Sequence, residues 1–264
     1  MIEVCSLSSG SNGNAFFIRT GKDCFLVDAG ISCKQICSRL NHVGSNITEI
    51  KGIFITHEHV DHIQGLTVLL KKHSVPVYIT EKTYNATSVP INKEVLRFIA
   101  ARDKIRIGDT EIHSLPKSHD AAEPTFFCFQ YKNKKISVIT DAGYACKNIQ
   151  DAVREANILF LESNYDIEML KNGVYPPPLK NRVAGKRGHL SNIDAAEIVR
   201  NYAQPGLEYV FLSHLSENNN TPDIAIHTFK NGIKERKDLS HLQAQTILTS
   251  RHEISPVIKI PLLS

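Results

Sequence analysis

Residues 56–62 read Thr56-His57-Glu58-His59-Val60-Asp61-His62, a pattern H-x-H-x-D-H that places three imidazoles and the Asp61 carboxylate within six positions, His57 to His62. The stretch follows Gly52–Ile55, an apolar run of strand type. It leads into a segment with Ile63, Leu66, Leu69 and Leu70 on one helical face, so one helix is expected over His62–Lys72. Alternate side chains of an extended segment point to one side, so His57 and His59 face the same way, and Asp61 and His62 open the helix. Imidazole and carboxylate are the donors that first-row divalent ions take. One tetrahedral ion needs three or four such donors; two ions need more, with a carboxylate between them.

Further donors stand at the ends of other apolar runs. FLVDAG (25–30), IHSLPKSHD (112–120), SVITDAG (137–143) and VFLSHLS (210–216) each close on, or just after, Asp or His. Strand ends in α/β proteins lie at the rim of a sheet, where loops converge on a ligand. Asp141 is the natural bridging carboxylate, and His119 and His214 supply one imidazole apiece.

The rest of the chain frames these positions. Strands are expected over Glu3–Leu7, Ala15–Arg19, Cys24–Val27, Val75–Ile79, Lys104–Ile107, Thr110–Leu115, Thr125–Tyr131, Ile136–Ile139, Ile158–Leu161, Tyr209–Leu212, Gln243–Leu248 and Val257–Ile260. Helices are expected over Ser32–His42, Asn148–Glu155, Ile193–Tyr202 behind Ser191 as cap, and Asp223–Lys234. No repeat, low-complexity tract or linker divides the 264 residues, and 42% apolar content suffices for a sizeable core. The pattern implies one α/β domain over residues 1–264, an αββα sandwich of two mixed sheets flanked by helices.

No apolar stretch approaches the length of a membrane span, and MIEVCSLSSG has neither the basic nor the apolar region of an export signal. A cytoplasmic protein with no membrane partner is expected. The six cysteines are too sparse for a disulfide scaffold and read as reduced thiols; Cys33 and Cys37, four apart on a helix, read as half-buried core thiols for want of a second pair. A net charge of +4 permits an anionic partner without demanding one. His42, His73, His113, His227, His241 and His252 lack a partner pattern and read as surface or capping residues.

With the pattern H-x-H-x-D-H at 57–62, the later His119 and Asp141 and the final His214, the chain resembles the metallo-β-lactamase fold hydrolases along nearly its whole length. The resemblance implies that His57, His59 and His119 bind one divalent ion, that Asp61, His62 and His214 bind a second, and that Asp141 bridges them. Asp28 in LVDAG matches an early Asp that orients the histidine loop from behind. Leu7–Asn14, Leu161–Asp166, Gly188–Asn192 and His214–Asn219 look like the YycJ/WalJ group, whose members act as 5′-to-3′ exonucleases on double-stranded DNA. Residues 85–102 are not placed against that group. Asp141 and His214 are 73 residues apart, too few to hold the large insertion of the β-CASP nucleases.

Several residues carry two readings. His189, after Lys186-Arg187-Gly188, is a phosphate contact or general acid near the metals, or else a helix cap. Ser8–Asn14 is a backbone cradle for phosphate or a tight strand connection. Glu162 ends its strand and is read as support behind the ligands. Lys180, Arg182, Lys186 and Arg187, with Tyr175 and Pro176–Pro178, form either a basic rim for the DNA backbone or a solvated loop.

The expected function is that of a phosphodiesterase using two divalent ions (zinc or manganese, iron being also accepted), most specifically a 5′-to-3′ exonuclease on duplex DNA bearing a 5′ end. Asp61 and His189 take the catalytic roles, His189 protonating or stabilising the leaving oxygen. A ribonuclease, a small-molecule phosphodiesterase or esterase of the same fold, and a non-catalytic metal-bound module are the alternatives.

Overall fold

A strand buried on both faces needs apolar side chains at nearly every position, and several strands of this chain meet that demand. Along β3 (Asp23–Val27) every residue is buried, as along β11 (Ile158–Glu162). In the computed structural model, which describes residues 1–261, these two strands lie in different seven-stranded sheets.

The first sheet comprises β1 (Ile2–Ser8), β2 (Ala15–Thr20), β3, β4 (Ile50–Phe54), β5 (Val77–Thr80), β6 (Leu96–Ile99) and β14 (Ile258–Ile260), in the order β14-β1-β2-β3-β4-β5-β6. The second comprises β7 (Lys104–Ile107), β8 (Thr110–Pro116), β9 (Thr125–Tyr131), β10 (Lys134–Ile139), β11, β12 (Tyr209–Ser213) and β13 (Thr246–Leu248), in the order β13-β12-β11-β10-β9-β8-β7. Each is mixed. β3 pairs antiparallel with β2 and parallel with β4, and β10 pairs antiparallel with β9 and parallel with β11. Each sheet therefore changes sense at one strand, and each of those strands ends in Asp-Ala-Gly a residue or two later.

Between the sheets Phe16, Phe25, Phe54, Phe127, Phe129, Phe160 and Phe211 form a buried aromatic layer. The ring of Phe16 meets Phe160 edge to face at 5.2 Å, and Phe54 meets Phe127 at 5.3 Å, so aromatic contacts join one sheet to the other. The opposite faces are covered by helices. α1 (Cys33–His42), α2 (Val60–Ile63), α3 (Leu66–Lys72) and α4 (Glu81–Ala86) belong to the first half. α5 (Lys147–Glu155), α6 (Ile167–Asn172), α7 (Pro177–Val183), α8 (Asn192–Tyr202), α9 (Pro222–Ile233) and α10 (Leu242–Gln245) belong to the second. Ile36, Leu40, Leu66 and Leu69 pack on the first sheet, and Ile149, Val153, Val199 and Phe229 on the second. This is the αββα sandwich of two mixed sheets expected from the sequence.

Four local expectations are corrected. The helix expected over His62–Lys72 is two, broken at Gln64-Gly65: the Asp61 carbonyl accepts from the Asn14 N–H (2.8 Å), while the Gly65 N–H turns to the Ala29 carbonyl (2.9 Å). Tertiary partners have taken both ends of one intrahelical bond. Lys180 and Arg182, expected in a loop, lie on α7, where prolines occupy the first turn, whose N–H groups need no helical partner. The strand expected over Gln243–Leu248 starts only at Thr246, because the Ala244 and Gln245 N–H groups bond back to the His241 carbonyl as a helical turn. α4, α6 and the edge strand β6 are elements that the periodicity did not show.

Candidate metal centre

Asp28, Glu162, His57, Asp141 and His214 all stand at the carboxyl ends of strands of the two sheets, or just beyond them, on the rim where parallel strands deliver their loops. Asp28 (φ 62°), Asp141 (φ 53°) and His214 (φ 56°) adopt the left-handed backbone conformation, rare for residues with a side chain and costing about 1–3 kcal/mol each. Three such residues at one rim mean that the surrounding structure over-determines them. The glycines of the two Asp-Ala-Gly turns permit close backbone approach: a Cβ on Gly30 would lie 1.7 Å from the Asp61 carbonyl oxygen, and one on Gly143 2.1 Å from that of Lys186.

The structure brings together His57, His59 and His119 as one group, and Asp61, His62 and His214 as another, the ligand atoms of each within 4.8 Å of one another. His57 Nε2 is 3.1 Å and His119 Nε2 3.3 Å from His59 Nδ1. Asp141 stands between the groups, with Oδ2 3.1 Å from His62 Nε2 and Oδ1 3.0 Å from His214 Nδ1. Those contacts are not hydrogen bonds. Asp141 Oδ2 and His214 Nδ1 are buried with no hydrogen-bond partner, an arrangement that costs about 1–3 kcal/mol per atom unless something else satisfies them. A divalent cation between facing carboxylate and imidazole donors would satisfy both, and the donor set of five imidazoles and two carboxylates fits one.

Other side chains hold the donors from behind. Asp28 Oδ2 lies 2.7 Å from His62 Nδ1, and Asp28 accepts from the Thr56 N–H (2.8 Å) and hydroxyl, so no oxygen of it is left over. His119 Nδ1 faces the Gly188 carbonyl at 3.0 Å. Glu162 accepts from the N–H groups of Ala142 (2.8 Å) and Leu190 (3.1 Å) and meets His189 Nδ1 at 2.7 Å. Asn14 donates to Asp61 Oδ2 and lies 3.2 Å from His62 Nε2, while the Ser9 hydroxyl accepts from the His214 N–H at 2.8 Å. The loop Ser8–Asn14 thus props the second group of donors. Ser11 lines the cleft, so part of the loop also faces where a ligand would sit.

Burial acts alike on the buried histidines of the site, and the charges beside them make the difference. Burial is the main cause that pushes His57 well below its ordinary value and His119 down to about 4, with Lys117 adding to both, so both are neutral donors at neutral pH. Burial pushes the same way at His62 and His214, but Asp141 and neighbouring carboxylates outweigh it and raise both well above the ordinary value. Burial would raise Asp141, yet His214 and His62 hold it well below the carboxylate range; His189 and His214 hold Glu162 at about 2 in the same way.

Two neighbours were not singled out in the sequence. Lys117 is buried, donates to the Thr140 carbonyl and is lowered mainly by burial. Its place in IHSLPKSHD, two residues before His119, was the available signal. Asp120 lies 3.3 Å from His119 Nε2 and pairs with Arg182. That pairing supplies, across 62 residues, the counter-charge that the basic stretch lacks locally. Lys180 is tied to the Lys171 carbonyl (2.7 Å) and Arg187 Nε points at the His119 carbonyl (3.4 Å); Lys186 is exposed, without an ion pair among the described residues.

The donors open into a cleft of about 330 Å³ lined by His59, Asp61, His119, Asp141, His189 and His214, with Tyr175 and Arg182 on its wall. Tyr175 accepts from the Asn218 amide at 3.2 Å. Among the described residues, no helix is long and apolar enough to cross a membrane.

A family model described as a β-lactamase superfamily domain matches residues 24–215. The chain is 37% identical over 235 residues to exodeoxyribonuclease YycJ of Bacillus anthracis, covering 87% of this chain and 88% of that protein. It is 36% identical over 237 residues to exodeoxyribonuclease WalJ of Streptococcus pneumoniae strain D39, covering 87% of each. In structure it resembles the metallo-β-lactamase fold protein YhfI of Bacillus subtilis, with a TM-score of 0.75 at 14% identity over 98% of this chain and 100% of that one. It also resembles the short form of human tRNase Z, with a TM-score of 0.63 at 16% identity over 98% and 100%. At such identities these two likenesses speak to the fold alone.

Proposed function

Since the chain belongs to the β-lactamase superfamily, in the branch of the YycJ and WalJ exodeoxyribonucleases, and is a metal-dependent hydrolase, we propose that it hydrolyses phosphodiesters of double-stranded DNA from the 5′ end. The observation that carries the reading is the open cleft at whose floor Asp141, with a buried and unpaired oxygen, meets two groups of three donors. His57, His59 and His119 would hold one divalent ion, Asp61, His62 and His214 the other, and Asp141 both; zinc and manganese suit this set, and iron is compatible. Bound there, the ions supply Lewis-acid charge toward the phosphate and acidify water.

The chain's own groups do the rest. His189 reaches the cleft with its side chain 21% exposed, and Glu162 engages its Nδ1. Nε2 is left for substrate, placed to give a proton to the departing oxygen, while Glu162 fixes the ring through Nδ1. Asp61 serves as ligand while Asn14 keeps its carboxylate aimed. Lys180, Arg182, Lys186 and Arg187 lie on α7 and the turn after it, beside the cleft, and would meet the DNA backbone; Tyr175 offers a ring to a terminal base.

Digestion of duplex DNA labelled separately at its 5′ and 3′ ends, with chelator and with added manganese or zinc, tests this. The 5′ label should be released first, only with metal. Release of the 3′ label first, or cleavage of RNA alone, would overturn the polarity or the substrate.

A further inference from the structure

Cys33 and Cys37 sit one turn apart at the start of α1, and the sequence offered them no partner. The fold supplies one. His73, the residue that ends α3, comes to Cys33 and Cys37 so that the three ligand atoms lie within 4.8 Å of one another. Cys37 Sγ is 3.9 Å from His73 Nε2. A tetrahedral zinc ion, with bonds of about 2.3 Å to sulfur and about 2.0 Å to nitrogen, would hold those atoms about 3.5 Å apart. The observed separation needs a shift of only a few tenths of an ångström. Cys33 is buried, while Cys37 and His73 are half-buried.

Beside the three donors opens a hollow of about 400 Å³, whose wall includes Ser32, Lys34, Gln64, Val68 and Lys72. The hollow gives an ion a route in and leaves room for a water as fourth ligand. No carboxylate lines it, so the site disfavours calcium and magnesium, which require oxygen donors. Two thiolates would balance the charge of a divalent ion. None of these groups belongs to the cleft that holds His57 through His214.

We propose that Cys33, Cys37 and His73 form a separate binding site for a soft metal ion, zinc by preference, which clasps α1 to α3. The clasp would brace the segment that carries the catalytic donors. α1 follows Asp28–Ile31 directly, and within that segment Ala29 takes the Gly65 N–H and gives its own N–H to the His62 carbonyl.

Cobalt(II) substitution of the full chain tests the site, because thiolate-to-cobalt charge transfer in the near ultraviolet cannot arise from an all-histidine-and-carboxylate centre. The wild type should show that absorption, and the double variant His57→Ala, His59→Ala should keep it. Cys37→Ser should lose it together with one metal equivalent while still hydrolysing DNA, and His73→Ala should weaken it. Zinc should also protect Cys37 from a thiol reagent. Both variants change half-exposed side chains, so folding is readily checked by their retained activity. Absorption that is missing in the wild type, or unchanged in Cys37→Ser, would overturn the proposal and leave Cys33 and Cys37 as core thiols. Neither result bears on the substrate of the main cleft.

Discussion

Asp28-Ala29-Gly30 and Asp141-Ala142-Gly143 are the same turn built twice. Each follows the strand at which its sheet changes from antiparallel to parallel pairing, and each holds its Asp in the left-handed conformation. The glycine N–H of the first turn bonds the Asn14 carbonyl and that of the second the Ser118 carbonyl, so each turn anchors a loop that carries site residues. The two carboxylates nevertheless differ. Asp28 spends its oxygens on Thr56 and His62 and is saturated. Asp141 keeps an oxygen without a hydrogen bond, among imidazoles. Equal backbones teach that the turn only delivers a carboxylate to the rim; its neighbours decide whether it orients a ligand or becomes one.

Substitutions at the two turns should separate these roles. Asp141→Ala should have the largest effect, with activity at background and metal content reduced; full metal content in the purified variant, by elemental analysis, would break the comparison. His189→Ala should keep its metal and lose activity by about 10²- to 10⁴-fold, the usual worth of a positioned acid or base. Near-normal turnover would make it a helix cap. Asp28→Ala should lower metal affinity or activity by about 10- to 100-fold, as removal of a group behind a ligand does. A loss equal to that of Asp141→Ala would show that Asp28 acts as more than an orienting group.

Metal binding should depend on pH differently in the two groups of donors. His57, held well below its ordinary value, and His119, near 4, are already neutral at neutral pH, so those two donors give up no proton when metal binds. His62 and His214, raised above the ordinary value, are protonated at neutrality and must lose protons to bind. Affinity of that group should rise with pH, by about tenfold per unit for each proton displaced. Calorimetric zinc titration in buffers of different ionisation enthalpy would count those protons; equal release in both steps would contradict the split. The smallest effect belongs to the basic wall. Lys186→Ala should make the slope of log affinity against log salt shallower by about 1, with metal content intact, if that side chain meets a phosphate. Binding to duplex DNA over a salt series, under non-hydrolysing conditions, measures it.

The strands and the αββα order were readable because a strand covered on both sides leaves no position for a polar residue, as in Ile158–Leu161. The donor-rich stretch 57–62 was readable because its members are neighbours in the chain. His119, Asp141 and His214 could be picked out only through their positions at strand ends. Residues whose part depends on distant partners were harder. Asn14 looks like loop polarity until Asp61 and His62 are placed against it. Arg182 looks unpaired until Asp120 arrives from the second sheet, and His73 looks like a surface residue until α3 brings it to Cys37.

By itself the sequence determined the fold class, the rim of donors and the metal-dependent chemistry they imply, since these follow from local periodicity and from residue types at short spacing. Only the tertiary structure decided which Asp-Ala-Gly carboxylate stays unpaired, where the helix after His62 breaks, and which cysteines gain a histidine. In each case the answer lies in which hydrogen-bonding partners two sheets, packed face to face, leave within about 3 Å of a given atom. Partners separated by tens of residues leave no spacing for a sequence to display.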